Sequence, residues 1–195
     1  MGRSNPFERP PLAPKGGSAL TALLGKTIFN ILGWKVEGTV PNVSKAVFVL
    51  APHTSNWDWV VCVSALLAFR LKASYLAKDT LFRGLLGWIM RSTGGVAVNR
   101  AKPDGLAEQI ARYFELNPRF WLALTPEGTR GNVNRWKTGF LRIAYSSGAP
   151  VVPIVISRSN RCLLFGTALK LTGDIETDLD SAMQHYRKYL PDNVL

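Results

Sequence analysis

The stretch Lys45-Ala46-Val47-Phe48-Val49-Leu50-Ala51-Pro52-His53-Thr54-Ser55-Asn56-Trp57-Asp58 decides the fold. Its first half is a short, β-branched apolar run that reads as a buried strand. Its second half carries Ser and Asn, the residues that cap helix starts, followed by an apolar stretch from Trp57 to Arg70. A buried strand running directly into a helix is the unit of an α/β layer fold. It also places His53 at the strand exit and Asp58 in the first turn of the helix. From there the carboxylate can fold back against the imidazole, fix its tautomer and stabilise the imidazolium that forms when the ring takes a proton from a hydroxyl.

The same alternation continues along the chain. Strands are expected near residues 73–76, 95–99, 120–124, 151–157 and 163–171, the last bent at Gly166. Helices are expected over 81–92, 104–116, 138–147 and 179–189. The helix near Asp104 has an acidic start and stops before Pro118, and the final one carries Asp178 and Asp180 at its start. The fold class is therefore α/β: a single domain with a mixed, mostly parallel central sheet flanked by helices, preceded by an N-terminal amphipathic helix.

A second string, Thr125-Pro126-Glu127-Gly128-Thr129-Arg130, follows the apolar run Phe120-Trp121-Leu122-Ala123-Leu124. Pro126 and Gly128 shape a turn whose free amides, with the Thr129 hydroxyl and the Arg130 guanidinium, suit phosphate oxygens. Glu127 beside an anion site is repulsive unless it pairs or orders the turn, so it is assigned to positioning. Read alone, the string is equally a solvated turn after a buried strand.

With 195 residues, 47% of them apolar, the chain has enough interior for one continuous core. It divides into a loose arm over 1–17, an amphipathic or interfacial helix over 18–34 and a domain over 35–195. Leu20, Leu23, Leu24, Thr27, Ile28 and Ile31 follow helical spacing, but the segment is too short and interrupted to span a bilayer. No secretory signal is read at the N-terminus. A net charge of +11 draws the protein to anionic partners: nucleic acid, acidic lipid, a phosphorylated substrate or an acidic carrier protein. The cations are spread along the chain and no zinc-ligand spacing or RNA-recognition signature occurs, so nucleic acid is not the expected partner. Cys62 and Cys162 read as reduced, buried thiols, and no metal site is expected.

Four blocks in order resemble the glycerolipid acyltransferase family, whose best-known members acylate lysophosphatidic acid. They are His53 with Asp58; Gly95-Val96-Ala97-Val98-Asn99-Arg100; Pro126 to Arg130; and Ala149-Pro150-Val151-Val152-Pro153-Ile154. Tyr75 to Phe82, Gly87-Trp88 and Trp136 to Phe140 also look like that family. Pro52 stands where the family often has Asn, and Thr125 where an aromatic is common. The resemblance implies that His53 is the general base and Asp58 its partner, with Glu127 and Gly128 shaping the catalytic site. Arg100, Thr129 and Arg130 would bind the acceptor phosphate, with Lys78 and Lys137 beside them. The acceptor hydroxyl then attacks an acyl thioester directly, with no cofactor beyond the co-substrate, acyl-CoA or acyl carrier protein. No Gly-x-Ser-x-Gly elbow competes with this route. The resemblance also implies a lysophospholipid acceptor, while the charge, with the 18–34 helix inserted shallowly, leads to the expectation of a peripheral enzyme at the cytoplasmic side of an anionic membrane. An alternative within the family is another acceptor, a lyso-aminolipid or a different alcohol or amine. A basic nucleic-acid- or membrane-binding protein without catalysis is the competing class.

Overall fold

The computed structural model describes residues 7–98, 106–128 and 136–189. In chain order these form α1 (Ala19–Ile31), β1 (Lys35–Gly38), β2 (Lys45–Ala51), α2 (Asn56–Ala68), β3 (Ser74–Lys78), α3 (Gly84–Ser92) and β4 (Gly95–Val98). There follow α4 (Leu106–Leu116), β5 (Phe120–Leu124), α5 (Gly139–Ser147), β6 (Val151–Ser157), β7 (Cys162–Phe165) and α6 (Ile175–Arg187). The strands make one seven-stranded sheet in the order β1-β7-β6-β2-β5-β3-β4. Every pairing is parallel except β6 with β7. The mixed, mostly parallel α/β architecture is the one expected.

Helices cover both faces, as a parallel sheet requires. On one face α4, α5 and α6 close over Val47, Val49, Leu122, Val151 and Val155. On the other, α2 covers Phe48, Trp121, Val152 and Ile154. α1 lies on α2, where Phe29 joins Val61 and Ala65, and α3 is tied to the same side by the Tyr75 hydroxyl on the Met90 carbonyl.

Three local readings change. β1 (KVEG) is a half-polar, mostly exposed edge strand with no apolar run to announce it. β7 ends at Phe165 rather than at residue 171; at the next residue the Gly166 amide reaches the Pro153 carbonyl at 2.9 Å, and the chain passes so close to His185 that an added Cβ would lie 2.5 Å from its Nε2. α6 begins at Ile175, capped by Asp174, which accepts the Thr177 amide at 2.8 Å. Asp178 is instead buried in its first turn, where its carboxylate receives the Tyr145 hydroxyl and the Thr172 amide.

Residues 7–17 are laid against the domain. Phe7 makes edge contacts with Phe29 and Phe69, Ala13 is buried, and Lys15 bridges to Leu71. α1 packs through Ala22, Gly25 and Phe29, which are buried. At Gly25 an added Cβ would come 2.6 Å from the Ser64 carbonyl oxygen, so glycine permits the close helix crossing. The leucines therefore face outward, with Leu20 76% and Ile31 79% exposed.

Candidate active site

The spacing of His53 and Asp58 is the spacing of a helix cap. Ser55 is the N-cap of α2, its hydroxyl accepting the Trp57 amide at 3.2 Å, and Asp58 is the third helical residue of a capping box. The Asp58 carboxylate reaches back over the helix start and accepts the Thr54 and Ser55 amides, both at 2.9 Å on Oδ2. That same oxygen lies 3.2 Å from His53 Nδ1. One carboxylate thus starts the helix and orients the imidazole, which is why strand exit, four intervening residues and Asp form a working unit. No described residue hydrogen-bonds His53 Nε2, so that nitrogen is available to a substrate proton.

Asp58 is only 1% exposed. Burial alone would raise its pKa, yet hydrogen bonds from His53, Arg158 and the Ser55 and Thr54 amides outweigh burial and hold it down at about 2. It is therefore ionised at neutral pH.

Three adjacent strands deliver the site. In the registers Ala51↔Val155 and Val49↔Leu124, β6, β2 and β5 end side by side. Just past those ends stand Arg158, His53 and Glu127. The helices after β2 and β5 cover opposite faces of the sheet, and such a divergence opens a crevice outside the carboxyl ends of the strands. Glu127 is buried there, and its Oε1 accepts the His53 amide at 3.0 Å. Its Oε2 is buried without a hydrogen-bond partner among the described residues. Burial accordingly pushes the Glu127 carboxyl upward, against the opposing pull of the His53 amide.

The turn after β5 closes when the Gly128 amide reaches the Thr125 carbonyl at 3.2 Å and the Lys137 amide reaches the Pro126 carbonyl at 2.8 Å. Gly128 has φ +66°, and an added Cβ would lie 2.9 Å from Lys137 Nζ. The Lys137 side chain is thus folded over the turn. Lys78 is exposed at the end of β3. Arg100, Thr129 and Arg130 lie outside the described residues.

Arg158 escaped the sequence reading. Its Nε and Nη2 lie 3.0 and 2.7 Å from Asp58 Oδ1 across 100 residues. In sequence it is one more cation after an apolar strand. Neither thiol is primed: burial raises Cys62, helped by the Asp58 charge, to about 12, and raises Cys162 to about 11. Beneath α2 lies an apolar cavity of about 60 Å³, lined among others by Leu50, Cys62, Ala65, Leu66 and Trp121. Cys62 stands one helical turn after Asp58.

Residues 34–157 match the family model described as Acyltransferase. The chain belongs to the acyltransferase family. Proteins similar to this chain include the 1-acyl-sn-glycerol-3-phosphate acyltransferase of Haemophilus influenzae, 30% identical over 68% of the chain and 58% of the relative. The Escherichia coli enzyme of the same name is 24% identical over 77% of the chain and 63% of the relative. The rat lysophosphatidylcholine acyltransferase 2 is 29% identical over 71% of the chain but only 26% of the relative. The chain thus spans less than two thirds of the length of these relatives. In structure it is similar to the 1-acyl-sn-glycerophosphate acyltransferase PlsC of Thermotoga maritima. The TM-score is 0.57 at 18% identity, over 89% of this chain and 80% of that one, a likeness of fold.

Proposed function

We propose that the protein transfers a fatty acyl group from a thioester to the free hydroxyl of a lysophospholipid such as 1-acylglycerol-3-phosphate. The observation that carries this reading is the His53 Nδ1 to Asp58 Oδ2 contact at the strand ends, in a chain of the acyltransferase family. In the proposed reaction His53 Nε2 takes the acceptor's hydroxyl proton as its oxygen bonds to the thioester carbonyl carbon. The carbon–sulfur bond then breaks, and the imidazolium returns the proton to the departing thiolate. Ester and free thiol result, with no acyl-enzyme. Holding both substrates in one crevice supplies the entropic advantage, and backbone amides stabilise the oxyanion. Asp58 fixes the ring, Glu127 and Gly128 shape the turn, and Arg100, Thr129 and Arg130 take the acceptor phosphate, with Lys78 and Lys137 adding positive potential. The donor is acyl-CoA or acyl carrier protein, and the apolar cavity under α2 receives part of the acyl chain.

The acceptor arrives from a lipid surface. Among the described residues no helix is long and apolar enough to cross a membrane. The face built from α1, α2 and α3 nevertheless exposes Leu20, Leu23, Leu24, Ile31, Trp57, Leu85, Leu86 and Trp88. Such a surface, on a chain of charge +11, suits peripheral docking to an anionic cytoplasmic leaflet.

The test is thiol release from a long-chain acyl-CoA with lysophosphatidic acid as acceptor, following the lipid product. Turnover that requires the acceptor and disappears in His53→Ala supports the reading. Activity that survives in His53→Ala refutes the assignment of the base. Thiol release without an acylated lipid refutes the acceptor.

A further inference from the structure

The Asp58 carboxylate is divided between two partners, and the division has a chemical consequence. Oδ2 faces His53 Nδ1 at 3.2 Å and receives two backbone amides. Among the described residues Oδ1 is taken by Arg158 alone, through Nε at 3.0 Å and Nη2 at 2.7 Å. A buried carboxylate answered by an imidazole alone favours a proton on that imidazole, and an imidazolium is no base. A guanidinium on the far oxygen supplies the counter-charge instead, and its planar fork also stops the carboxylate from rotating.

We propose that Arg158 is a positioning residue for the acyl-transfer site: it holds Asp58 by Oδ1 so that Oδ2 faces His53, and its guanidinium offsets the carboxylate's charge at the imidazole. This rests on the His53 and Asp58 roles argued above. The same guanidinium disfavours a lingering imidazolium after the acceptor proton has been taken, which hastens its return to the thiolate sulfur.

Among the described residues, the other groups around the pair do not replace it. From α2, Cys62 is a neutral thiol. From the end of β5, Glu127 accepts the His53 amide through Oε1 and brings a carboxyl group, not a cation. Lys137 lies over Gly128 on the Glu127 side, and no described contact joins it to Asp58. Arg158 is 44% exposed on its side chain, so replacing it leaves no cavity in the core.

The experiment is an NMR pH titration of the full chain with ring-labelled histidine. His53 and His185 are the two histidines, so a single His185→Gln variant assigns the spectrum. Arg158→Gln is expected to raise the His53 titration midpoint by about one pH unit. Arg158→Lys, which keeps the charge and loses the fork, is expected to hold it within a few tenths. An unmoved or lowered midpoint in Arg158→Gln with an unchanged circular dichroism spectrum overturns the proposal. If that variant fails to fold, Arg158→Met is titrated under the same criterion. With lysophosphatidic acid and acyl-CoA, the acid limb of kcat/KM should move up with the midpoint and activity should recover at alkaline pH. A raised acceptor KM at every pH with no moved limb would make Arg158 a substrate contact and also overturn it. Absence of turnover with a shifted midpoint would count against the acyl-transfer reading and leave the role of Arg158 in setting His53 standing.

Discussion

The Tyr186 hydroxyl donates to the Val49 carbonyl oxygen and accepts the Ile154 amide at 3.3 Å, so that α6 stitches together β2 and β6. The Val49↔Pro153 register sets that carbonyl and that amide opposite each other. Tyr186 is fully buried, with its ring edge-on to Trp136. Its hydrogen bonds lie four residues before His53, which makes the C-terminal helix part of the site's foundation. Tyr186→Phe keeps the ring and lets amide and carbonyl close on each other, so it is expected to cost about 1 kcal/mol. Tyr186→Ala empties the position and should cost about 3–5 kcal/mol. Urea unfolding of both variants checks the ratio; equal losses would contradict the stitching role.

Acid should unfold the protein partly through Asp58. Its folded pKa, about 2, lies below the ordinary value of 3.8. The unfolded state therefore binds this proton first. Stability from the group is complete above about pH 4 and is lost as pH falls toward about 2. Asp58→Asn should remove a contribution of no more than about 2 kcal/mol at neutral pH and flatten the acid limb of stability. Denaturant midpoints measured across that window test this, and an unchanged slope would contradict it.

Glu127 carries the opposite sign. Burial raises its carboxyl, so its favourable share of stability is present at low pH and is lost as pH rises through the folded value. Glu127→Gln retains an oxygen for the His53 amide and removes a buried charge. The variant should be more stable at neutral pH by about 1 kcal/mol and turn over more slowly. Thermal unfolding at two pH values, paired with thiol release, measures both. Lower stability at neutral pH would show that the charge is compensated.

The two faces of α1 should respond differently to substitution. Leu23→Glu and Leu24→Glu change the outward face, where both side chains are exposed, and should weaken co-sedimentation with anionic liposomes while leaving the fold intact. Gly25→Leu changes the inward face and should destabilise the α1–α2 crossing, because Ser64, Leu67 and Ala68 already crowd that position. Unaltered liposome binding in the double glutamate variant would rule out α1 as a docking element.

Filling the cavity under α2 should shorten the acyl chain that is accepted. Ala65 lines it and is buried. Ala65→Leu is expected to shift the preferred acyl-CoA toward shorter chains by a few carbons, at a stability cost of about 1–3 kcal/mol. A chain-length profile with an unmoved optimum would place the acyl group elsewhere.

Sequence and structure divide along the range of the interactions involved. The strands at 45–51, 120–124 and 151–157 were legible because each is a continuous apolar run, the mark of a strand buried on both faces. β1 was not, because an edge strand needs no apolar pattern. In α1 the periodicity was correct, but the face that packs was not legible: Ala22, Gly25 and Phe29 seat the helix on α2 and leave its leucines outside.

The sequence by itself determined the α/β class, the order of the central elements and the His53–Asp58 pair, because strand periodicity and a capping box are local codes within a few residues. Only the tertiary structure decided that Glu127 reaches the His53 amide from 74 residues away and that Arg158 takes the far oxygen of Asp58 from 100 residues away. Those contacts follow from the lateral order of β6, β2 and β5. Strand order is set by which layers bury one another, and no local pattern along the chain records it.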